Sequence, residues 1–128
     1  MKVERLGHFN IRTPAFEETC TFYERALGLT RGPAASMIDQ TSNAWLYDAG
    51  GHPVVHVNAP VPGEAPRAAG LSERLDHVAF DCTGVEGFEA RLRDLGIPHR
   101  TAPTAAGGLV QINLHDPNGI KVELTFRE

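Results

Sequence analysis

The strongest constraint on the fold is that one order of predicted elements occurs twice. Residues 3–13 alternate between apolar and polar side chains, as a half-buried strand does, and residues 75–82 repeat this alternation. Each run is followed by apolar residues at helical spacing, and then by Gly28 or Gly96, where a glycine can end a helix in a left-handed conformation. A chain with such a repeat is expected to fold as two similar modules.

Three further strands are predicted in each half, between stretches rich in Gly, Pro, Ser and Asn. They cover residues 29–31, 44–47 and 53–58 in the first half, and 99–102, 109–114 and 120–126 in the second. Each half therefore has the order β-α-β-β-β, and the predicted fold class is α+β. We expect a single domain over residues 1–128, with module one at about 3–58, a Pro- and Gly-rich linker at about 59–74, and module two at about 75–126.

Composition narrows the classes of function. The chain has 128 residues, a formal charge of −4 and no apolar run long enough to span a membrane. Its twelve Lys and Arg residues are scattered, which argues against nucleic acid as a partner. The first residues resemble no signal peptide, so we expect a soluble, cytoplasmic protein. Cys20 and Cys82 lie far apart in the sequence and are expected to be free, buried thiols.

Four side chains suited to a divalent metal stand at duplicated positions. His8 and His77 lie 69 residues apart in the first strand of each module, and His56 and Glu123 lie 67 residues apart in the last. Because side chains alternate along a strand, their apolar neighbours can face the helices while these four face away. If the two sheets meet side by side, the four side chains converge.

Three imidazoles and one carboxylate form a ligand set that suits Zn, Ni, Co, Mn or Fe(II) better than Ca or Mg. We therefore predict one divalent metal ion, held by His8, His56, His77 and Glu123. Coordination positions would stay open for water or for a chelating substrate.

Further side chains share the predicted metal face and are candidates for contact with a small-molecule substrate. Arg12 and Lys121 are the basic candidates to meet an anionic substrate. Trp45 and Tyr47 could line a pocket, although an aromatic pair on a strand also fits packing. The remaining candidates are the amides Asn10, Asn58 and Asn113.

Several motifs resemble the vicinal oxygen chelate superfamily, which includes glyoxalase I, methylmalonyl-CoA epimerase, bleomycin and fosfomycin resistance proteins, and extradiol dioxygenases. The resemblance covers essentially the whole chain and lies in the segments HFNIRT, FYERALGL, LDHVAF and HDPNGIKVELTF. It implies paired βαβββ modules that form a cupped, partly open barrel-like sheet around one divalent metal ion. It also implies a substrate that chelates the metal through neighbouring oxygens, but a shared fold does not name the reaction.

The favoured reaction is that of a glyoxalase-I-like lyase or isomerase. In that branch the resemblance implies four protein ligands, at the positions of His8, His56, His77 and Glu123. It also implies that an enediolate or enolate is stabilised while a base moves a proton. His56 stands where those enzymes carry Glu or Gln, so Glu123 is the first candidate base and His56 the second candidate catalytic residue.

Three alternatives remain open. An extradiol dioxygenase would hold Fe(II) with His8, His77 and Glu123 and use His56 as an acid–base group, but Asn113 stands where that branch carries tyrosine. Fosfomycin-type thiol transferases use the same three ligand positions, and Asn113 breaks their pattern too. Bleomycin-resistance-like proteins bind drugs without a metal.

The assembly is expected to be a homodimer, partly from the resemblance and partly because open sheets leave strand edges that need covering. The sequence leaves open whether the metal site lies within one chain or is shared between two chains.

Overall fold

The computed structural model describes residues 1–33, 41–71, 74–104 and 107–127. Within them, two helices and eight strands form two compact units, Met1–Arg67 and Ala68–Glu128. The boundary falls inside the linker predicted at residues 59–74, of which residues 72 and 73 lie outside the described part of the chain. The fold class is α+β, as predicted.

Unit 1 is the first βαβββ module, and its sheet is open. Its strands follow the order β1-β4-β3-β2, in which β1 and β4 are parallel and the other pairs antiparallel. The elements are β1 Phe9–Arg12, α1 Phe16–Arg25, β2 Thr30–Gly32, β3 Asn43–Tyr47 and β4 Pro53–Asn58.

Unit 2 repeats this topology. Its sheet has the order β5-β8-β7-β6, with β5 and β8 parallel and the other pairs antiparallel. The elements are β5 Val78–Cys82, α2 Val85–Asp94, β6 His99–Pro103, β7 Leu109–His115 and β8 Lys121–Arg127.

The alternation predicted for the last strand of each module is confirmed. Val55 and Val57 are fully buried on either side of the half-buried His56. Val122 and Leu124 are likewise fully buried on either side of Glu123. Val55 and Val57 of β4, and Val122 and Leu124 of β8, therefore pack in the core, and the metal-competent side chain between each pair faces the opposite side of the sheet.

Helix α1 ends at Arg25 and α2 at Asp94, and within three residues each is followed by the predicted glycine in the left-handed region. Gly28 has a φ of 74° and Gly96 a φ of 65°. The backbone N–H of the next residue then donates back into the helix, from Leu29 to the Tyr23 carbonyl at 3.2 Å, and from Ile97 to the Leu92 carbonyl at 2.9 Å. These bonds satisfy carbonyls that a helix end leaves open.

The first strand of each module is shorter than predicted. Residues 3–8 and 75–77 lie outside β1 and β5, and Val3 and Leu6 are exposed. The partner strand β4 begins only at Pro53, which has no backbone N–H to offer. The described ladder between β1 and β4 therefore starts at the pair of Phe9 and Val55.

Both helices of the described chain have ten residues, and neither is long and apolar enough to cross a membrane.

Candidate functional site

In unit 1, three aromatic rings gather on the face of the sheet turned away from the core. His56 and Trp45 are directly opposite each other on antiparallel strands, and their rings stack with centroids 4.6 Å apart and planes 8° from parallel. The ring of His8, just before β1, meets Trp45 edge-on at 4.4 Å. The centroids of His8 and His56 are 6.2 Å apart. The structure therefore brings the two histidines predicted for this module together, with Trp45 in contact with both.

One atom of His56 is in an unusual state for a polar group. Its Nε2 is buried and has no hydrogen-bond partner among the described residues, which costs a folded protein about 1–3 kcal/mol. Burial lowers the pKa of His56 below its ordinary value, and the neighbouring His8 lowers it further. The ring is therefore neutral at physiological pH, which is the form in which imidazole binds a metal.

In unit 2, the other two predicted ligands also face each other. The Nε2 of His77 lies 3.9 Å from Oε2 of Glu123. The opposite nitrogen of that ring, Nδ1, lies 2.7 Å from the Asp76 carboxylate, which also accepts a bond from Lys121 at 2.9 Å. A carboxylate on the far nitrogen of a histidine is a common way to fix the orientation of a metal ligand.

Glu123 is held in a similar way by two neighbours. Gln111 donates its amide N–H to Oε1 at 2.7 Å, and the Thr125 hydroxyl donates to the same oxygen at 3.2 Å. The side chain of Glu123 is only 17% exposed. Its Oε1 is therefore anchored, whereas Oε2 is the oxygen turned toward His77.

The two basic residues predicted to meet an anionic substrate are already paired. Arg12 donates from Nε to both oxygens of Glu64 at 2.8 Å, and Lys121 contacts Asp76. Arg12 lies on β1 and Glu64 lies in the linker, so this ion pair fastens the start of the linker to unit 1. Binding of an anion by either cation would have to compete with these carboxylates.

The amides and Tyr47 lie on the predicted strands. Asn10 donates to the carbonyl of His56 at 3.1 Å and to Oδ1 of Asn58 at 3.0 Å. Tyr47 donates its hydroxyl to the carbonyl of Pro33. Asn113 is directly opposite Glu123 on β7. Their predicted contact with substrate stays a prediction.

The comparisons with known proteins agree with this architecture. Residues 5–124 match the model of the Glyoxalase/Bleomycin resistance protein/Dioxygenase superfamily. The chain belongs to this superfamily. The resemblance to vicinal oxygen chelate proteins drawn from the sequence motifs is therefore confirmed.

Similar proteins match most or all of the chain. An Arabidopsis thaliana protein named "Glyoxylase I 4" is 28% identical over 125 residues, which cover 93% of this chain and 68% of that protein. A glyoxalase/dioxygenase from Nostoc punctiforme has a TM-score of 0.75 at 16% identity, covering 98% of this chain and 92% of that one. A putative glyoxalase family protein from Bacillus anthracis has a TM-score of 0.71 at 18% identity, covering 100% and 98%.

The side chains of each unit are compatible with the divalent ion predicted from the sequence. Unit 1 supplies a neutral His56 with an unpartnered Nε2, and unit 2 supplies an anchored carboxylate beside an oriented imidazole. Neither unit by itself gathers three metal-competent His, Cys, Asp or Glu side chains among its described residues. Each unit therefore offers one pair of candidate ligands.

Sequence reasoning missed several residues around the unit 2 pair. Asp76, Gln111 and Thr125 hold the candidate ligands, and Thr125 also lines an open cavity of about 290 Å³. Its other lining residues are Asp81, Cys82, Thr83 and Arg127. Alternation along β8 could have revealed Thr125, because it lies two residues beyond Glu123 and on the same face.

Both cysteines are free, as predicted, but only Cys20 is fully buried, whereas Cys82 is half-buried. Burial raises the pKa of each thiol to about 11. Both thiols therefore stay protonated at neutral pH and are poor candidates for a nucleophile.

Proposed function

We propose that this chain is a divalent-metal-dependent lyase or isomerase of the glyoxalase I type, acting on a small substrate that chelates the metal through two neighbouring oxygens. One observation carries the proposal. In unit 2, His77 Nε2 and Glu123 Oε2 face each other, and the second polar atom of each side chain is held by other residues. The name of the Arabidopsis thaliana relative, "Glyoxylase I 4", supports the same class of reaction.

The residues that would hold the ion are His8, His56, His77 and Glu123. When bound, the ion would polarise the two substrate oxygens and stabilise negative charge on them. Glu123 is the proposed base, because Oε2 accepts no hydrogen bond from the described residues and can take a proton from the carbon beside a carbonyl. Gln111 and Thr125 hold Oε1, so the carboxylate stays oriented while Oε2 gains and returns the proton.

The proposed proton transfer can be tested without knowledge of the natural substrate. The protein, purified anaerobically and assayed for metal, is incubated with hydroxyacetone or dihydroxyacetone in D₂O. We expect about one Zn, Ni, Co or Mn ion per site. We also expect the protein to catalyse the entry of deuterium at the carbon beside the carbonyl, which NMR measures. Protein without any metal, or metal-loaded protein without exchange on a broad panel of such compounds, would contradict the proposal.

A matched pair of variants tests the assigned carboxylate. Glu123→Ala removes a proposed ligand and base. We therefore expect deuterium exchange to be lost and the amount of bound metal to fall at least tenfold, a loss typical of changes at metal sites. Glu86→Ala removes an exposed carboxylate from the first turn of α2 and should retain both. Equal metal content in the two variants would show that the assignment of Glu123 is wrong.

An Fe(II) ring-cleaving dioxygenase is the second candidate, and the state of His56 fits it equally well. A neutral imidazole with an unpartnered Nε2 suits an acid–base group as well as it suits a ligand. In the dioxygenase, His56→Ala should retain iron and slow oxygen uptake with a catechol. In the lyase or isomerase, the same variant should release metal.

A further inference from the structure

We propose that Trp45 is a positioning residue that fixes the ring planes of His8 and His56 for the ion. The stacking of Trp45 on His56 and its edge contact with His8 are the observations behind this inference, which rests on the proposed metal site.

The contact with Trp45 sets the orientation of the His56 ring. A histidine that binds a metal through one ring nitrogen usually has its plane fixed by a hydrogen bond at the other nitrogen. No hydrogen bond to a ring nitrogen of His56 occurs among the described residues, and Nε2 is buried without a partner. The near-parallel contact with Trp45, at 4.6 Å and 8°, is the interaction that defines the plane of this ring.

His8 lies just outside the regular strand β1. It precedes β1, so no cross-strand ladder fixes its backbone, and its neighbour Gly7 has no side chain to hold it. Trp45 meets its ring edge-on at 4.4 Å, with the planes 74° apart. One indole therefore contacts both histidines in different geometries and sets the angle between them.

The position of Trp45 follows from the register of the sheet. Trp45 and His56 are a directly opposed pair of the β3–β4 ladder, and such side chains have Cβ atoms about 4.5–5.5 Å apart. Their contact is therefore built into the strand pairing. Tyr47, two residues further along the same face, makes no ring contact with either histidine within the described chain.

The experiment separates the flat face of the indole from its bulk. Ni²⁺ affinity is measured by competition with a chelator for the wild type, Trp45→Phe and Trp45→Leu. Leucine fills apolar space but offers no flat ring, so we expect about tenfold weaker binding, at the lower end of what supporting residues contribute to metal sites. Phenylalanine keeps a flat face and should stay within about threefold of the wild type. Tyr47→Leu is the matched control and should bind Ni²⁺ as the wild type does.

Two results would overturn the inference: Trp45→Leu binding Ni²⁺ as tightly as the wild type, or Trp45→Phe binding as weakly as Trp45→Leu. A second readout uses the metal-free protein. The stacked indole should shift the ring protons of His56 upfield in the NMR spectrum, and this shift should vanish in Trp45→Leu. The other signals should show that the variant is still folded. His56 signals that are identical in both proteins would also overturn it.

The His56 ring shift in the metal-free protein distinguishes a failure of the proposed metal site from a failure of the proposed role of Trp45. A wild type that binds no Ni²⁺ would contradict the proposed metal site, and the His56 ring shift in the metal-free protein would still show whether Trp45 stacks on that ring, the contact on which the inference depends.

Discussion

The two units place their candidate ligands at equivalent positions but hold them by different means. In unit 1, the residue directly opposite His56 is Trp45, and the interaction is ring stacking. In unit 2, the residue directly opposite Glu123 is Asn113, and the carboxylate is held instead by Gln111 and Thr125. The two sheets thus hold equivalent residues in different ways. We call His8 and His56 the aromatic half-site, because Trp45 contacts both rings, and His77 and Glu123 the hydrogen-bonded half-site.

The same contrast holds for the first ligand of each unit. His77 follows Asp76, whose carboxylate contacts its Nδ1, whereas His8 follows Gly7 and is contacted by Trp45. A carboxylate needs hydrogen-bond donors and an imidazole can be held through its face. The duplication therefore fixes where the ligands stand, and the neighbouring side chains determine how each one is held.

The cores of the units also differ, which gives the prediction with the largest expected effect. Phe16 of α1 is buried, whereas Phe88 of α2 is half-buried and packs against Phe126 at 5.3 Å. Phe16→Ala should lower the free energy of unfolding by about 3–5 kcal/mol, and Phe88→Ala by roughly half as much. Urea unfolding followed by circular dichroism measures both. Equal losses would mean that the two helices are equally important to the core.

A smaller effect is expected from breaking the hydrogen-bonded half-site. Gln111→Leu removes the shorter of the two bonds to Glu123 Oε1, so the affinity for Ni²⁺ should fall about tenfold. Asn43 occupies the equivalent place in unit 1 but makes no bond to His56 within the described residues. Asn43→Leu should therefore leave the affinity within about threefold of the wild type. Both variants are measured in the same chelator competition. An equal loss of Ni²⁺ affinity in the two would contradict the conclusion that Gln111 supports a ligand and Asn43 does not.

Much of the fold could be predicted from the sequence because each signal was local. The strand containing His56 was predicted at its observed bounds, and Gly28 and Gly96 marked both helix ends, since alternation and glycine conformation depend on few residues. The first strand was predicted too long, because alternation of side chains does not show at which residue a strand begins to pair with its neighbour, here Phe9 with Val55.

The candidate site was harder to predict in detail. Alternation identified the face that carries His56 and Glu123, but not the residues that hold them. The bond from Gln111 to Glu123 and the pair of Arg12 with Glu64 join residues 12 and 52 positions apart. Such contacts depend on hairpin register and on the path of the linker, which composition and periodicity do not fix.

The smallest effect is expected for Glu64→Gln, which should change the melting temperature only slightly at neutral pH. This substitution keeps the volume and one acceptor oxygen of the side chain. Its bonds from Arg12, and then from the Val61 backbone and Arg67, lower the pKa of Glu64 from an ordinary 4.5 to about 2. The stability that this carboxylate contributes is therefore fully present above about pH 5 and is lost as the pH falls through about 2.

The difference in melting temperature between the wild type and Glu64→Gln should thus be constant from about pH 7 to pH 5 and should shrink toward pH 2. Asp81 is the matched control, because it occupies the place in unit 2 that Arg12 occupies in unit 1 and forms no ion pair within the described chain. Asp81→Asn should show no comparable trend. A difference for Glu64→Gln that persists at pH 2 would mean that the shape of the side chain, and not its charge, fastens the linker to unit 1.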